Sequence, residues 1–146
     1  MIEDLRIQRY REKLEKLEEY RLLFSKWFYE NSLQNLEAQD NFQKIFAIYH
    51  TIQLMVEVIT DIVSMMLKDS SLIVEDNYSN FKKLLKRDII SSELFQGLKE
   101  LNGLRNRIVH DYNGLIDDIA WKSIEKNKKY IDKFKKVVKK WLDQNK

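Results

Sequence analysis

No cysteine and no proline occur among these 146 residues, and glycine appears only three times, at Gly97, Gly103 and Gly114. Without cysteine there can be no disulfide and no thiolate metal site. The two histidines, His50 and His110, lie far apart in sequence and make a poor zinc set. No metal and no cofactor is therefore expected. A β-rich fold of this length would ordinarily need more turn residues, so helices joined by short links are favoured. An apolar run of ~18 residues able to span a membrane is also lacking. The opening stretch "MIEDLRIQRYREKLEKLEEY" carries charge throughout, which does not fit a secretory signal. These absences predict a cytoplasmic protein with no membrane partner.

The composition that remains, 44% hydrophobic and 34% charged, fits a folded chain and not a disordered one. At this length the simplest expectation is one domain over 1–146 with a real core. Charge is unevenly spread: residues 126–146 hold nine lysines against two aspartates, whereas the preceding 125 residues carry 17 basic and 21 acidic groups. The basic end suits either a polyanion or plain solvent. Apolar residues interrupt "KKYIDKFKKVVKKW" at helical spacing, which favours the wet side of an amphipathic helix.

Periodicity divides the chain into helices. Leu5, Tyr10, Leu14, Leu17, Leu23, Trp27 and Phe28 predict a first helix over 3–30. "NSLQNLEAQDN" reads as a link with a short helical turn. A second helix is predicted over 41–68, where Phe42, Phe46, Ile52, Val56, Ile59 and Val63 belong to a stripe broad enough for a bundle or a dimer interface. A short helix over 77–88 follows. Ser91 or Ser92 can cap the next, whose inward face runs Leu94, Leu98, Leu101, Leu104 and Ile108. Asn113-Gly114 signals a turn, and Asp117 or Asp118 can cap the last helix. That helix presents Ile124, Ile131, Phe134, Val138, Trp141 and Leu142. The expected architecture is all-α, a bundle of four long helices plus a short one.

The chemistry concentrates in "GLRNRIVHDY", residues 103–112, at the C-terminal end of a predicted helix. Residues five apart on a helix differ by about 140° and ~7.5 Å, so Arg105 and His110 do not stack directly. They can converge on one ligand if the helix ends near His110, or if a two-fold partner presents the same segment. Asn106 and His110 do share a face, and Asn106 can orient the imidazole. His110 has a side chain suited to proton transfer near neutrality, and Arg105 offers a fork for a phosphate. Together they suit cleavage of RNA by its own 2′-hydroxyl. The plainer alternatives are helix-end salt bridges, an ordinary Arg107–Asp111 ion pair, a half-buried Tyr112, and a hydrogen-bonded surface or near-core His50.

The spacing of Arg105, Asn106, His110 and Tyr112 resembles the R-x4-H-x-Y signature of the HepT-like HEPN toxins, with Gly103-Leu104 in its usual leading context. The resemblance extends over roughly 42–142, through "YHTIQLMVEVITDIVSMM" and "GLIDDIAWKSI". It implies an antiparallel HEPN bundle forming a homodimer, in which two copies of Arg105 and His110 line one cleft. It further implies a toxin that cleaves RNA without a metal, with Asn106 in support. The implied partner is a minimal nucleotidyltransferase antitoxin that transfers AMP to Tyr112. The alternative within the same resemblance is a non-catalytic helical partner of that transferase.

Overall fold

Four side-chain caps mark where the helices of the computed structural model begin, and the structure describes residues 2–146. Ser32 accepts from the Asn35 amide, Asn41 from Lys44, Asp76 from Ser79 and Ser91 from Leu94. Each satisfies an amide that the first helical turn leaves without an internal partner. The helices are α1 (Asp4–Tyr29), α2 (Leu33–Ala38), α3 (Phe42–Asp69), α4 (Asn77–Lys86), α5 (Ser92–His110), α6 (Asp117–Asn127) and α7 (Lys129–Asn145). A 3₁₀ turn, Tyr112–Gly114, separates α5 from α6. Lys128, between α6 and α7, keeps helical angles, so these two are limbs of one long bent helix.

The all-α expectation holds, but four long helices plus a short one does not. Counting the bent pair once, the described residues form six helices. The addition is α2, expected only as a turn within a link. Ser32 caps it, and Leu33 and Leu36 bury their side chains. Two leucines three apart suffice to hold one and a half turns onto a core, too short a pattern for periodicity to register. Neither expected aspartate caps α6: its N-cap is Ile116, and Asp117 instead accepts from the Tyr49 phenol.

Three helices stop without glycine. Asp40, Ser71 and Asp88 take the left-handed conformation after α2, α3 and α4, with φ of 52°, 58° and 56°. The following amides of Asn41, Leu72 and Ile89 reach back to Leu36, Leu67 and Leu84 carbonyls. This is the Schellman closure, satisfied by residues that tolerate positive φ less well than glycine.

The core sits around α3, which contacts α1, α2, α4 and α5. By length and composition α3 could cross a membrane, contrary to the expectation that no such run exists, yet 56% of its most apolar window is buried within the protein. α1 packs most extensively against it. The buried face of α1 is Ile7, Tyr10, Leu14, Leu17, Phe24 and Phe28, so Leu5 and Leu23, assigned inward from sequence, face out. Spacings of three, four, three, seven and four keep the buried set on one seam. The inward residues expected for the last helix are all buried. Phe42 and Phe46 are not: both begin α3 on its exposed side.

Candidate functional site

α5 carries the 105–110 segment because Leu94, Leu98, Leu101 and Leu104 seat its apolar side in the core. The same seating turns Asn106, Arg107, Val109 and His110 outward. The helix ends at His110. Asp111 leaves the helical region (φ −141°), and its amide returns to the Arg107 carbonyl at 3.0 Å. The expected Arg107–Asp111 ion pair is absent among the described residues. The Asp111 carboxylate instead turns toward Gly114, where a Cβ would lie 2.7 Å from its oxygen. A side chain at Gly114 would therefore have to displace the Asp111 carboxylate, and the φ of Gly114 is not positive.

Arg105 is half-buried and engaged. Its Nη2 donates to Glu57 Oε1 at 3.1 Å, and its Nη1 donates to Asn106 Oδ1 at 3.2 Å. Gln53 Nε2 donates to the same Glu57 oxygen at 3.2 Å. Asn106 therefore serves Arg105, and among the described residues no hydrogen bond joins either of them to His110. His110 itself is exposed and has no hydrogen-bond partner among the described residues. The segment keeps Arg105 and His110 on one helix end without bringing them into contact.

Tyr112 occupies the 3₁₀ turn, 41% exposed, with its ring edge-on to Phe46 at 5.5 Å and to Tyr49 at 6.5 Å between centroids. Burial, then the nearby Asp117 charge, raises its phenol above the ordinary tyrosine value. A shallow depression of about 370 Å³ lies beside it, lined by Phe46, Tyr49, His50, Gln53, Ile108 and Tyr112. His50 is exposed there, without a hydrogen-bond partner among the described residues, so it is a surface residue without the bond expected of it. A larger cavity, about 630 Å³, lies between α1 and α7, lined in part by Arg11, Glu15, Glu18, Lys135 and Lys139. Of its charges, Lys135 pairs with Glu18, which also pairs with Arg21, and Lys146 pairs with Asp143, whereas Arg11, Glu15 and Lys139 have no ion pair among the described residues. We place the candidate site at the end of α5, where the exposed His110 side chain has no partner among the described residues and Arg105 keeps donors that Glu57 and Asn106 do not take.

Glu57 and Gln53 escaped the sequence reading. Their signal was present: from Ile45 to Leu67 the only acidic residues are Glu57 and Asp61. A carboxylate set in so apolar a helix usually has a partner. Asp61 finds Lys13 at 2.8 Å, and Glu57 finds Arg105.

Fold and site together define an all-helical protein with an arginine, a histidine and a tyrosine displayed at one helix end. Residues 10–140 match the family described as "Ribonuclease HepT-like". The chain is 48% identical over 65 residues to a protein of Methanocaldococcus jannaschii named "Putative RNase", covering 44% of this chain and 75% of that one. A protein of the same name from Archaeoglobus fulgidus is 37% identical over 111 residues, 76% of each chain. The chain belongs to the HepT-like ribonuclease family, and its enzyme class is ribonuclease. Among solved structures, a tri-AMPylated Shewanella oneidensis HEPN toxin in complex with its MNT antitoxin superposes with a TM-score of 0.78. That match has 22% identity and covers 94% of this chain and 98% of the other. The cytosolic protein YutE of Bacillus subtilis, of unknown function, superposes with a TM-score of 0.77 at 16% identity, covering 94% and 91%. These likenesses establish the shared fold.

Proposed function

We propose that this ribonuclease is the toxin of a toxin–antitoxin pair and cleaves RNA without a metal, at a site to which two copies of the chain contribute Arg105 and His110. The observation that carries this reading is the exposure of His110 and the free donors of Arg105 at one helix end, joined by no bond of their own. A two-fold partner presenting the same end would complete the set. The exposed Phe42, Phe46, Val109, Ile116 and Ile119, on the start of α3 and around the α5–α6 corner, support a partner on this side.

In the reaction, the ribose 2′-oxygen bonds to the adjacent phosphorus and the bond from phosphorus to the 5′-oxygen breaks. The products are a 2′,3′-cyclic phosphate and a 5′-hydroxyl. His110 moves the proton from the attacking or to the leaving oxygen, and Arg105 offsets charge on the five-coordinate phosphorus. Asn106 supports Arg105. DNA lacks the nucleophile and is not cleaved.

The proposed antitoxin is a minimal nucleotidyltransferase that transfers AMP to the Tyr112 oxygen, releasing pyrophosphate from ATP. The tyrosine stands two residues beyond His110, so the added phosphate would bring negative charge and bulk to the place the RNA phosphate needs. Its phenol keeps its proton near neutrality, so the transferase must supply the base.

The test is cleavage of mixed cellular RNA in EDTA by protein shown by intact mass to be unmodified. Wild type should cleave, whereas Arg105→Ala and His110→Ala should each lose about a hundredfold or more. Mixing the two inactive variants should restore part of the activity, because some dimers then hold one intact arginine and one intact histidine. No cleavage by unmodified dimeric wild type would instead favour a binding partner of the transferase. Failure of the mixture to recover would sink the two-copy site.

A further inference from the structure

We infer that Glu57 is a positioning residue for Arg105: from the middle of α3 it sets the direction in which the guanidinium meets phosphate. The inference rests on the reading of Arg105 as part of the cleavage site. Glu57 stands between Val56 and Val58, which are 2% and 8% exposed, so its backbone is anchored in the core. Its Oε1 accepts Arg105 Nη2 at 3.1 Å and Gln53 Nε2 at 3.2 Å. The second contact lies one helical turn along α3 and limits the rotamers open to the carboxylate. On the far side, Arg105 Nη1 is held by Asn106 Oδ1 at 3.2 Å. The order Gln53, Glu57, Arg105, Asn106 ties the arginine to two helices.

A guanidinium has five N–H donors. Glu57 takes one and Asn106 takes another, which leaves three for an incoming phosphate. A carboxylate gripping the fork with both oxygens would leave fewer and compete for the same edge. The single contact seen here restrains the side chain while leaving a face open. The pair is also partly exposed, with side chains 23% and 40% accessible, so a phosphate can reach Arg105 without first breaking the ion pair.

Positioning and charge make opposite demands on binding. Removing Glu57 frees a positive charge, which should hold RNA as well as before or better, yet the arginine it frees is no longer aimed. Glu57→Ala is expected to lower kcat by roughly 10- to 100-fold, by analogy with the loss of the outer partner that orients a metal ligand. KM should stay level or fall. Glu57→Gln keeps an oxygen acceptor at the same reach and should recover most of kcat. A residue that only supported folding would lower kcat in step with the melting temperature and give no such split.

The decisive experiment pairs these kinetics with the ¹⁵N side-chain spectrum of arginine-labelled full-length protein, the Arg105 Nη–H signal being assigned by its loss in Arg105→Ala. In wild type and Glu57→Gln that signal should be dispersed and slow to exchange. In Glu57→Ala it should collapse toward free arginine while melting temperature and dimer content hold. A kcat for Glu57→Ala within twofold of wild type, or an unmoved Arg105 signal, would overturn the inference. If wild type fails to cleave yet the signal responds as described, Glu57 still orients Arg105 and only the ribonuclease site assignment falls.

Discussion

The Tyr49 phenol donates to the Asp117 carboxylate at 2.5 Å across 68 residues of sequence, joining the middle of the bundle to the first residue of α6. The turn that carries Tyr112 is thereby bracketed. Its upstream end is fixed by α5, and its downstream end is fixed by this bond. The same aspartate contributes to raising the Tyr112 phenol, after burial. One contact therefore places the candidate modification site and tunes it.

Tyr49→Phe should cost about 1–2 kcal/mol, the worth of a hydrogen bond to a charged acceptor that can partly rehydrate. Urea denaturation would measure it, and an unchanged midpoint would refute the bracket. Burial, then Asp117, raises the Tyr49 phenol far above the ordinary tyrosine value. The folded chain holds that proton where the unfolded chain releases it. Wild type should therefore lose stability as pH rises beyond about 10, and Tyr49→Phe should lose less.

Backbone geometry makes a contrasting pair. Ser71 ends α3 at φ 58°, a conformation that glycine adopts without penalty. Ser71→Gly should stabilise by up to about 1 kcal/mol. Gly97 lies where a Cβ would sit 2.2 Å from the Tyr130 ring, which its own hydroxyl holds to Glu93 at 3.0 Å. Gly97→Ala should cost about 1–2 kcal/mol net, overpacking outweighing the gain in helix propensity. Thermal melts of both variants would decide; a stabilised Gly97→Ala would mean that α5 and α7 separate easily.

Acid should act through Glu18. The hydrogen bond from Arg21, and then that from Lys135, holds its carboxyl at about 2 against an ordinary 4.5. The stabilisation is complete above about 4.5 and is lost as pH falls from there toward about 2. Glu18→Gln should flatten that part of the stability profile. The effect is modest, because the side chain is 35% exposed and solvent screens it. Urea midpoints taken from pH 5.5 down to 2.5 would reveal it, and parallel profiles for the two proteins would exclude it.

The basic end divides into engaged and free lysines. Lys126, Lys133, Lys135 and Lys146 pair with carboxylates. Lys136, Lys139 and Lys140 are exposed and unpaired among the described residues. If these three guide RNA, changing all to glutamine should weaken binding and reduce the salt slope by about 2, near 0.7 per phosphate contact on a single strand. An unchanged slope would leave them as solvent-facing residues of α7.

Much of the architecture was legible because it is local. Leucines three and four apart marked the seated face of α5, and the apolar stripe of the last helix read the same way. The absence of proline and the scarcity of glycine pointed to helices before any was located. The chemistry-bearing segment stood out as well, since Arg105, Asn106, His110 and Tyr112 fall within eight residues. Local pattern misled where two stripes competed. On α1, local spacing reads Leu5 and Leu23 as inward whereas Ile7 and Phe24 are the buried residues, and only the neighbour across the interface selected between them. At the start of α3, Phe42 and Phe46 continue an apolar stripe past the point where the protein's own helices cover it.

By itself, then, the sequence determined an all-helical chain and the short segment on which its chemistry centres, because helix periodicity and motif spacing act over a few residues. The tertiary structure decided that α2 is a helix, that Asp117 binds Tyr49 instead of capping α6, and that Glu57 meets Arg105. Those outcomes join residues far apart in the chain, 48 apart for the last pair and 68 for Tyr49 and Asp117. Such contacts depend on how helices cross, and no local repeat records that.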